Sequence, residues 1–304
     1  MTIIITMVKL LATMAVGFYL GKKKYLGGQT NKNLSSMIVT ITSPALILSS
    51  VTSVKHGDTK LVVTLLLMGT VIYACLPFFG FLIAKALHVE KGLLGMYTLM
   101  VLFCNNSFMG FPVTQALFGD DAIFYTAILH MPFNLLFFTL GLYLIAKDAG
   151  RSRTVNKREL LNNGVIAAVL ALLIYFCNIS LPQVLTETLG FIGTITMPLS
   201  MLIIGASMSA YTWKEVFSEK KLYVMAAIRL GVIPVLVYGV AHLFTNNTMV
   251  INVATITFGM PIAALVAMGS AEYEKQGEIG AISVALTTIL SMITIPVMAV
   301  ILGI

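Results

Sequence analysis

Runs of about twenty mainly apolar residues fill most of this sequence, and they constrain its fold more than any other feature. Ten such runs occur, separated only by short polar linkers. A run of this length can cross the hydrocarbon core of a bilayer as one α-helix, so the sequence predicts an all-α integral membrane protein with ten transmembrane helices. The predicted segments are about 3–20, 34–53, 61–85, 92–117, 121–146, 161–179, 186–210, 221–244, 249–269 and 278–302.

Charged residues are scarce, and they cluster between the apolar runs. Of the 304 residues, 58% are apolar and 10% are charged, whereas soluble domains carry about a quarter charged residues. The basic residues form short clusters in linkers, which favours a topological role over nucleic-acid binding. Cys75, Cys104 and Cys177 lie far apart within apolar runs, so the sequence predicts no disulfide framework, no metal site and no cofactor.

The distribution of Lys and Arg predicts the orientation in the membrane. The odd-numbered linkers hold 15 of these residues and the even-numbered linkers hold two, Lys55 and Lys60. Basic residues favour the cytoplasmic side, so we expect both termini outside the cell. A bacterial-type plasma membrane with a multi-pass chain is the predicted location.

Two halves of the sequence share a weak repeat. The longest linker, about 148–160, separates a first set of five spans (about 1–147) from a second set (about 161–304). Because each set has an odd number of spans, the two sets enter the membrane from opposite sides, and a repeat must be inverted. Proline pairs support it, namely Pro44 with Pro198, Pro77 with Pro234 and Pro112 with Pro261. We therefore expect one membrane domain, 1–304, built from two inverted repeats.

The fourth and ninth spans each contain the pattern G-x-P near their middle, at Gly110 to Pro112 and Gly259 to Pro261. Proline removes a helical hydrogen bond and collides with the preceding turn, so both helices are predicted to break. Lipid offers no partner to the freed backbone groups. The two breaks should therefore be buried against each other or line an aqueous cavity.

Polar side chains beside the breaks are candidates for binding a solute. Asn105, Asn106 and Ser107 precede the first G-x-P, and Thr257 precedes the second. Half-helix N-termini favour anions, and these side chains add hydrogen-bonding groups without a permanent charge, which favours a small carboxylate. Alternatively, they only satisfy the carbonyls that Pro112 leaves unpaired. The predicted substrate-binding residues are Asn105, Asn106, Ser107, Gly110, Pro112, Thr257, Gly259, Pro261 and Arg229.

Three further polar residues lie within predicted spans. Arg229 is placed about 12 Å along the eighth span by helical rise; it either attracts an anionic substrate or extends its side chain to the interface. His130 and Asn134 share one face of the fifth span and form either a proton or polar relay or a packing contact. All 12 Asp and Glu fall in linkers or at span ends, so sodium or proton coupling cannot be assigned from the sequence.

The motif NNSFMGFP at 105–112, with ALFGDDA at 116–122 and TFGMP at 257–261, resembles the auxin efflux carrier family, including its bacterial malate-permease-like members. The resemblance implies a fold like that of sodium/bile-acid symporters, with helices 4 and 9 broken and crossing at the midplane and one bundle moving against a scaffold as an elevator. It places Asn105, Asn106, Gly110, Pro112, Gly259 and Pro261 in the crossover. Unlike plant auxin carriers, this chain has no long central hydrophilic loop, which speaks against auxin itself.

These features together predict a secondary active or facilitative transporter of a small organic anion, malate-like or auxin-like, that works by alternating access. The alternative is a sodium-coupled organic anion symporter of the bile-acid type. An intramembrane enzyme would need a nucleophile with a base, paired acids or metal ligands within the spans, and the sequence contains no such set. The expected partners are a carboxylate substrate and the lipid bilayer but not nucleic acid, and a homodimer is left open.

Overall fold

Helices make up almost all of the described chain. The computed structural model describes residues 2–52, 59–151, 163–217, 219–270 and 274–303. Within these ranges it contains thirteen helices and, apart from one isolated bridge pair, no β-structure. In chain order they are α1 (Thr2–Lys22), α2 (Gly28–Ser50), α3 (Thr59–Ala86), α4 (Lys91–Leu102), α5 (106–118), α6 (Asp121–Asp148), α7 (Asn163–Phe176), α8 (Gln183–Met208), α9 (Trp213–Val216), α10 (Lys220–Phe244), α11 (Thr248–Phe258), α12 (Ala264–Ser270) and α13 (Glu274–Ile301).

The all-α prediction is confirmed for the described residues, and six helices are long and apolar enough to cross a bilayer: α2, α3, α6, α8, α10 and α13. Three shorter helices, α4, α7 and α11, are also apolar. The predicted fourth and ninth segments are each divided, into α4 with α5 and into α11 with α12. The predicted linker at 148–160 lies mostly outside the described residues.

Three prolines determine where helices change geometry. A proline has no N–H, and its ring collides with the carbonyl four residues earlier; a π turn widens the helix there and relieves the collision. Each of three π turns ends two residues before a proline. The pairs are Ile38–Thr42 with Pro44, Asn106–Gly110 with Pro112, and Ile228–Val232 with Pro234.

Helices α1 and α8 touch backbone to backbone. A Cβ on Gly17 would lie 2.2 Å from the carbonyl oxygen of Leu202, and a Cβ on Gly205 would lie 2.0 Å from that of Met14. Glycine therefore permits the close approach that small residues give membrane helices. Helix α2 packs against α7 and α8, so α1, α2, α7 and α8 form one contiguous group.

Polar contacts join three other helices at one end. The Asp148 carboxylate at the end of α6 accepts hydrogen bonds from the backbone N–H groups of Gly95 and Met96, at 3.1 and 2.8 Å. A carboxylate in the first turn of a helix stabilises its N-terminus. Gln276 of α13 donates to the Gly92 carbonyl at 2.9 Å. The first half of the divided fourth segment is thereby anchored to both α6 and α13.

Candidate binding site at two paired helix breaks

The first helix break, at 103–105, separates α4 from α5, and the second, at 259–263, separates α11 from α12. The two breaks lie side by side, and each supplies hydrogen-bond partners to backbone groups of the other. Asn105 donates its backbone N–H to the Pro261 carbonyl at 2.8 Å, and Ala263 donates to the Phe103 carbonyl at 3.0 Å. Cys104 and Ile262 form the antiparallel bridge between these two hydrogen bonds. Buried backbone groups need such partners, and each break supplies what the other lacks.

Two side chains from other helices bind the remaining backbone groups. The Ile262 N–H donates to the Thr287 hydroxyl of α13 at 3.2 Å. Arg229 of α10 donates from Nε to the Met260 carbonyl at 3.2 Å and from a terminal nitrogen to the Val101 carbonyl at 2.9 Å. One arginine therefore binds carbonyls belonging to both broken segments.

The position of Arg229 has an electrostatic consequence. Its side chain is fully buried, so it does not extend to a surface, and it lines neither of the two cavities described below. The carbonyls it binds lie at the C-terminal ends of α4 and α11, where each helix carries about half a negative charge. The positive charge of the guanidinium offsets the partial negative charge at both of these helix ends. It does not offset the partial positive charge at the N-terminal end of α5.

Asn106 faces α6 rather than the surface. Its amide nitrogen lies 3.1 Å from His130 Nδ1 and 3.3 Å from the Cys104 sulfur. The His130 ring packs against Phe133, with ring centroids 4.2 Å apart. Asn106 thus joins the first break to α6 through the imidazole.

Hydroxyl groups form a second link between the broken helices. Thr126 of α6 donates to the Thr114 hydroxyl of α5 at 3.1 Å and lies 3.4 Å from the Thr257 hydroxyl of α11. All three side chains are buried. In this position Thr257 contributes to packing between α5, α6 and α11, and it lines neither cavity.

A cavity of about 550 Å³ extends from one end of the molecule to the first break. We call it the vestibule. Its inner end is formed by Asn105 and Phe108, and its mouth carries the exposed side chains of Lys32 and Glu278. Most of the wall is apolar or small, with Tyr211 and parts of α8, α12 and α13. This volume and this mainly apolar wall are typical of small-molecule sites.

A smaller cavity of about 80 Å³ holds the other predicted polar residues. Ser107, His130 and Asn134 line it together with Ser43 of α2. Asn105 and Ser107, only two residues apart, therefore face different cavities. The predicted site residues are thus divided between the vestibule, this smaller cavity and the contacts around the breaks.

The glycines and prolines of the two G-x-P motifs shape the breaks. A Cβ on Gly110 would lie 2.5 Å from Asn106 Oδ1, and one on Gly259 would lie 2.6 Å from the terminal methyl of Met298. Pro112 follows the π turn of α5, and Pro261 provides the carbonyl that Asn105 binds. These four residues fix backbone geometry rather than offering side chains to a ligand.

Sequence reasoning missed Thr287, Thr126, Ser43 and the vestibule wall. One signal was available for Thr287: it follows His130 by the same number of residues, 157, that separates Pro77 from Pro234. In each half, the helix after the break supplies this side chain to the break. The vestibule wall could not be found this way because it joins residues from distant helices.

Comparison with known proteins agrees with a membrane carrier. A family model described as membrane transport protein matches residues 2–299. An uncharacterized transporter of Methanothermobacter thermautotrophicus is 23% identical over 306 residues, covering 98% of this chain and 97% of the relative. An uncharacterized transporter of Methanocaldococcus jannaschii is 23% identical over 293 residues, covering 94% of each.

Proposed function

Because the chain belongs to the membrane transport protein family that includes the auxin efflux carriers, we propose that it carries a small organic anion across the membrane. We expect a carboxylate with an apolar body. The observation that carries this proposal is the vestibule, whose apolar wall leads to Asn105 beside the paired breaks. A carboxylate can accept a hydrogen bond from the Asn105 amide while its apolar part stays against the wall.

The charges around the breaks support an anion over a cation. Arg229 brings a permanent positive charge to the breaks, and no salt bridge joins it to an acid within the described residues. The α5 N-terminus adds partial positive charge on the side of Asn105. A bound monoanion would lower the electrostatic cost of this arrangement.

The mainly apolar wall separates the two expected substrate types. A malate-like dicarboxylate would bring a second charge and a hydroxyl against apolar residues such as Phe108 and Ile203, because the basic residue of the lining, Lys32, lies at the mouth of the vestibule. Unpaired polar groups in such a wall are costly. A monocarboxylate with an aliphatic or aromatic body fits the vestibule better.

For the transport cycle we propose alternating access around the paired breaks. Helices α1, α2, α7 and α8 would form the scaffold, and the remaining long helices would move against it, as in an elevator. Ten spans in two inverted sets of five, a plasma-membrane location and both termini outside complete this proposal. The equal spacing of His130 to Thr287 and Pro77 to Pro234 supports the repeat. With that orientation, the vestibule opens to the cytoplasm.

The test is transport by purified protein in liposomes, with the vestibule blocked. Ala281→Phe adds a ring to the vestibule wall, whereas Val297→Phe adds one on the exposed face of the same helix, α13. Aliphatic and aromatic monocarboxylates and malate would be supplied as labelled solutes, with and without sodium. We expect uptake of a monocarboxylate, its loss in Ala281→Phe and its retention in Val297→Phe. Equal uptake by both variants would contradict the vestibule as the pathway.

A further inference from the structure

The smaller cavity lies on the other face of the first break from the vestibule. It has a volume of about 80 Å³ and is enclosed by α2, α5, α6, α7 and α12. Its polar wall consists of Ser43, Ser107, His130 and Asn134. A single water needs only about 10–15 Å³ of such space, so this cavity can hold a group larger than one water.

Two buried polar atoms in this wall have no partner among the described residues. They are the Ser43 hydroxyl oxygen and His130 Nε2. Ser43 is 4% exposed and His130 is 5% exposed. A serine inside a helix commonly binds a carbonyl one turn earlier, as Ser50 of the same helix does with Ile47 at 2.8 Å. The Ser43 hydroxyl makes no such hydrogen bond. A buried polar group without a hydrogen-bond partner costs stability, so these two atoms are available to bind a ligand in the cavity.

The contact with Asn106 determines what the imidazole can bind. The Asn106 amide nitrogen is a donor, so Nδ1, which lies 3.1 Å from it, acts as the acceptor. In the neutral ring the proton then sits on Nε2. His130 therefore presents a donor to the cavity, and the ligand has to provide an acceptor.

The other wall groups favour the same kind of ligand. Ser43 and Ser107 can donate from their hydroxyls, and Ser107 is the second residue of α5, a helix of thirteen residues whose N-terminus favours negative charge. The cavity wall contains no carboxylate. A cation would meet the His130 donor and lack a counter-charge.

From this geometry we infer that the smaller cavity binds a carboxylate group, held by Ser43, Ser107 and His130. This site is separate from the vestibule and does not depend on which solute the vestibule accepts. The carboxylate could belong to a free short acid or to the end of a longer one. Both sources share the chemistry that the wall recognises.

Acetate titration of the full-length protein in lipid nanodiscs tests this site. The readouts are the thermal unfolding temperature and the ¹⁵N signal of His130 Nε2, recorded at constant ionic strength with chloride as the balancing anion. Acetamide serves as the neutral analogue. We expect acetate to raise the unfolding temperature and shift the Nε2 signal, and we expect acetamide to do neither.

Variants assign the effect to this cavity. Ser43→Ala removes one donor, and His130→Phe keeps a ring of similar size without donors; Ser50→Ala is the matched control. We expect acetate to bind each site variant about tenfold more weakly, as for the loss of a hydrogen bond to a charged group, and to bind Ser50→Ala normally. Should His130→Phe fail to fold, Ser43→Ala and the wild-type ¹⁵N signal still decide the question.

The inference is overturned if acetate leaves the Nε2 signal unmoved, or if acetate stabilises Ser43→Ala as strongly as the wild type. A competition arm separates the two sources of the carboxylate. If acetate competes with the transported solute, the site holds the end of that solute. If it binds without competing, the site holds a second, short acid. Failure of the vestibule test would leave the acetate titration of the wild type and of the site variants unchanged, because neither uses the transported solute.

Discussion

The two helix breaks pair through their backbones but carry different side chains. Both lie one or two residues after an apolar helix, and they exchange two backbone hydrogen bonds. The first carries Asn105, Asn106 and Ser107, which reach the vestibule, His130 and the smaller cavity. The second break carries Met260, Ile262 and Ala263, all fully buried or nearly so.

This difference indicates a division of labour. The first break presents the Asn105 amide and the Ser107 hydroxyl to cavities. The second break presents only apolar side chains; its Ile262 N–H donates to the Thr287 hydroxyl, and its Met260 carbonyl accepts from Arg229. We therefore expect substitutions of the Asn105 and Ser107 side chains to alter ligand binding, and substitutions of Thr287 to alter stability.

Arg229 is expected to give the largest effect because it binds both segments. Arg229→Met leaves the Val101 and Met260 carbonyls without their donor, and we expect a loss of about 3 kcal/mol in the free energy of unfolding. The free energy of unfolding of Arg229→Lys should lie between those of Arg229→Met and the wild type, because lysine keeps the positive charge but not the several donors of the guanidinium. Unfolding would be followed in nanodiscs, with the exposed Lys85→Met as control. An unchanged stability of Arg229→Met would contradict its role at the breaks.

The glycines of the two G-x-P motifs give a matched test of intermediate size. In Gly110→Ala the new methyl collides with Asn106 Oδ1, and the Asn106 side chain is held by His130 and Cys104. In Gly259→Ala it collides with the end of Met298, a flexible side chain that can move away. We expect about 2 kcal/mol of destabilisation for the first and less than about 1 kcal/mol for the second. A larger loss of thermal stability in Gly259→Ala than in Gly110→Ala would contradict this account of the two breaks.

The smallest expected effect concerns the surface contact between the halves. Glu90, just before α4, forms an ion pair with Lys275 of α13, and the hydrogen bond and charge of Lys275 lower the pKa of the Glu90 carboxyl. Since the folded pKa is lowered, this stabilisation exists above the ordinary glutamate pKa and is lost as pH falls through the lowered value. Exposed pairs contribute little.

The matching measurement compares the unfolding temperatures of the wild type and Glu90→Gln across this pH range. We expect a small difference at neutral pH that disappears in acid. A large difference at neutral pH would mean that the halves are held together mainly at the surface and not at the breaks.

Some of this architecture was readable from the sequence, and the reasons are physical. The length of an apolar run predicts a membrane-spanning helix because hydrophobicity over about twenty residues is enough to determine that such a helix forms. Proline and glycine predicted breaks near 110 and 259 for similarly local reasons. The second break lies there, whereas the first lies at 103–105, before the π turn that precedes Pro112. The direction of Asn106 toward His130, and of Asn105 toward the vestibule, depends on helices far away in sequence. Arg229 illustrates the same limit, because its partners Val101 and Met260 come from two other helices.

The measurement that tests the central claim most directly compares Asn105→Ala with Thr287→Val. Each removes one polar side chain at one break; binding of a transported monocarboxylate and thermal unfolding would be measured on the same samples. We predict that Asn105→Ala weakens binding about tenfold with little loss of stability, and that Thr287→Val lowers stability by about 1–2 kcal/mol with unchanged affinity. Equal losses of affinity in both variants would contradict the division between a binding break and a supporting one.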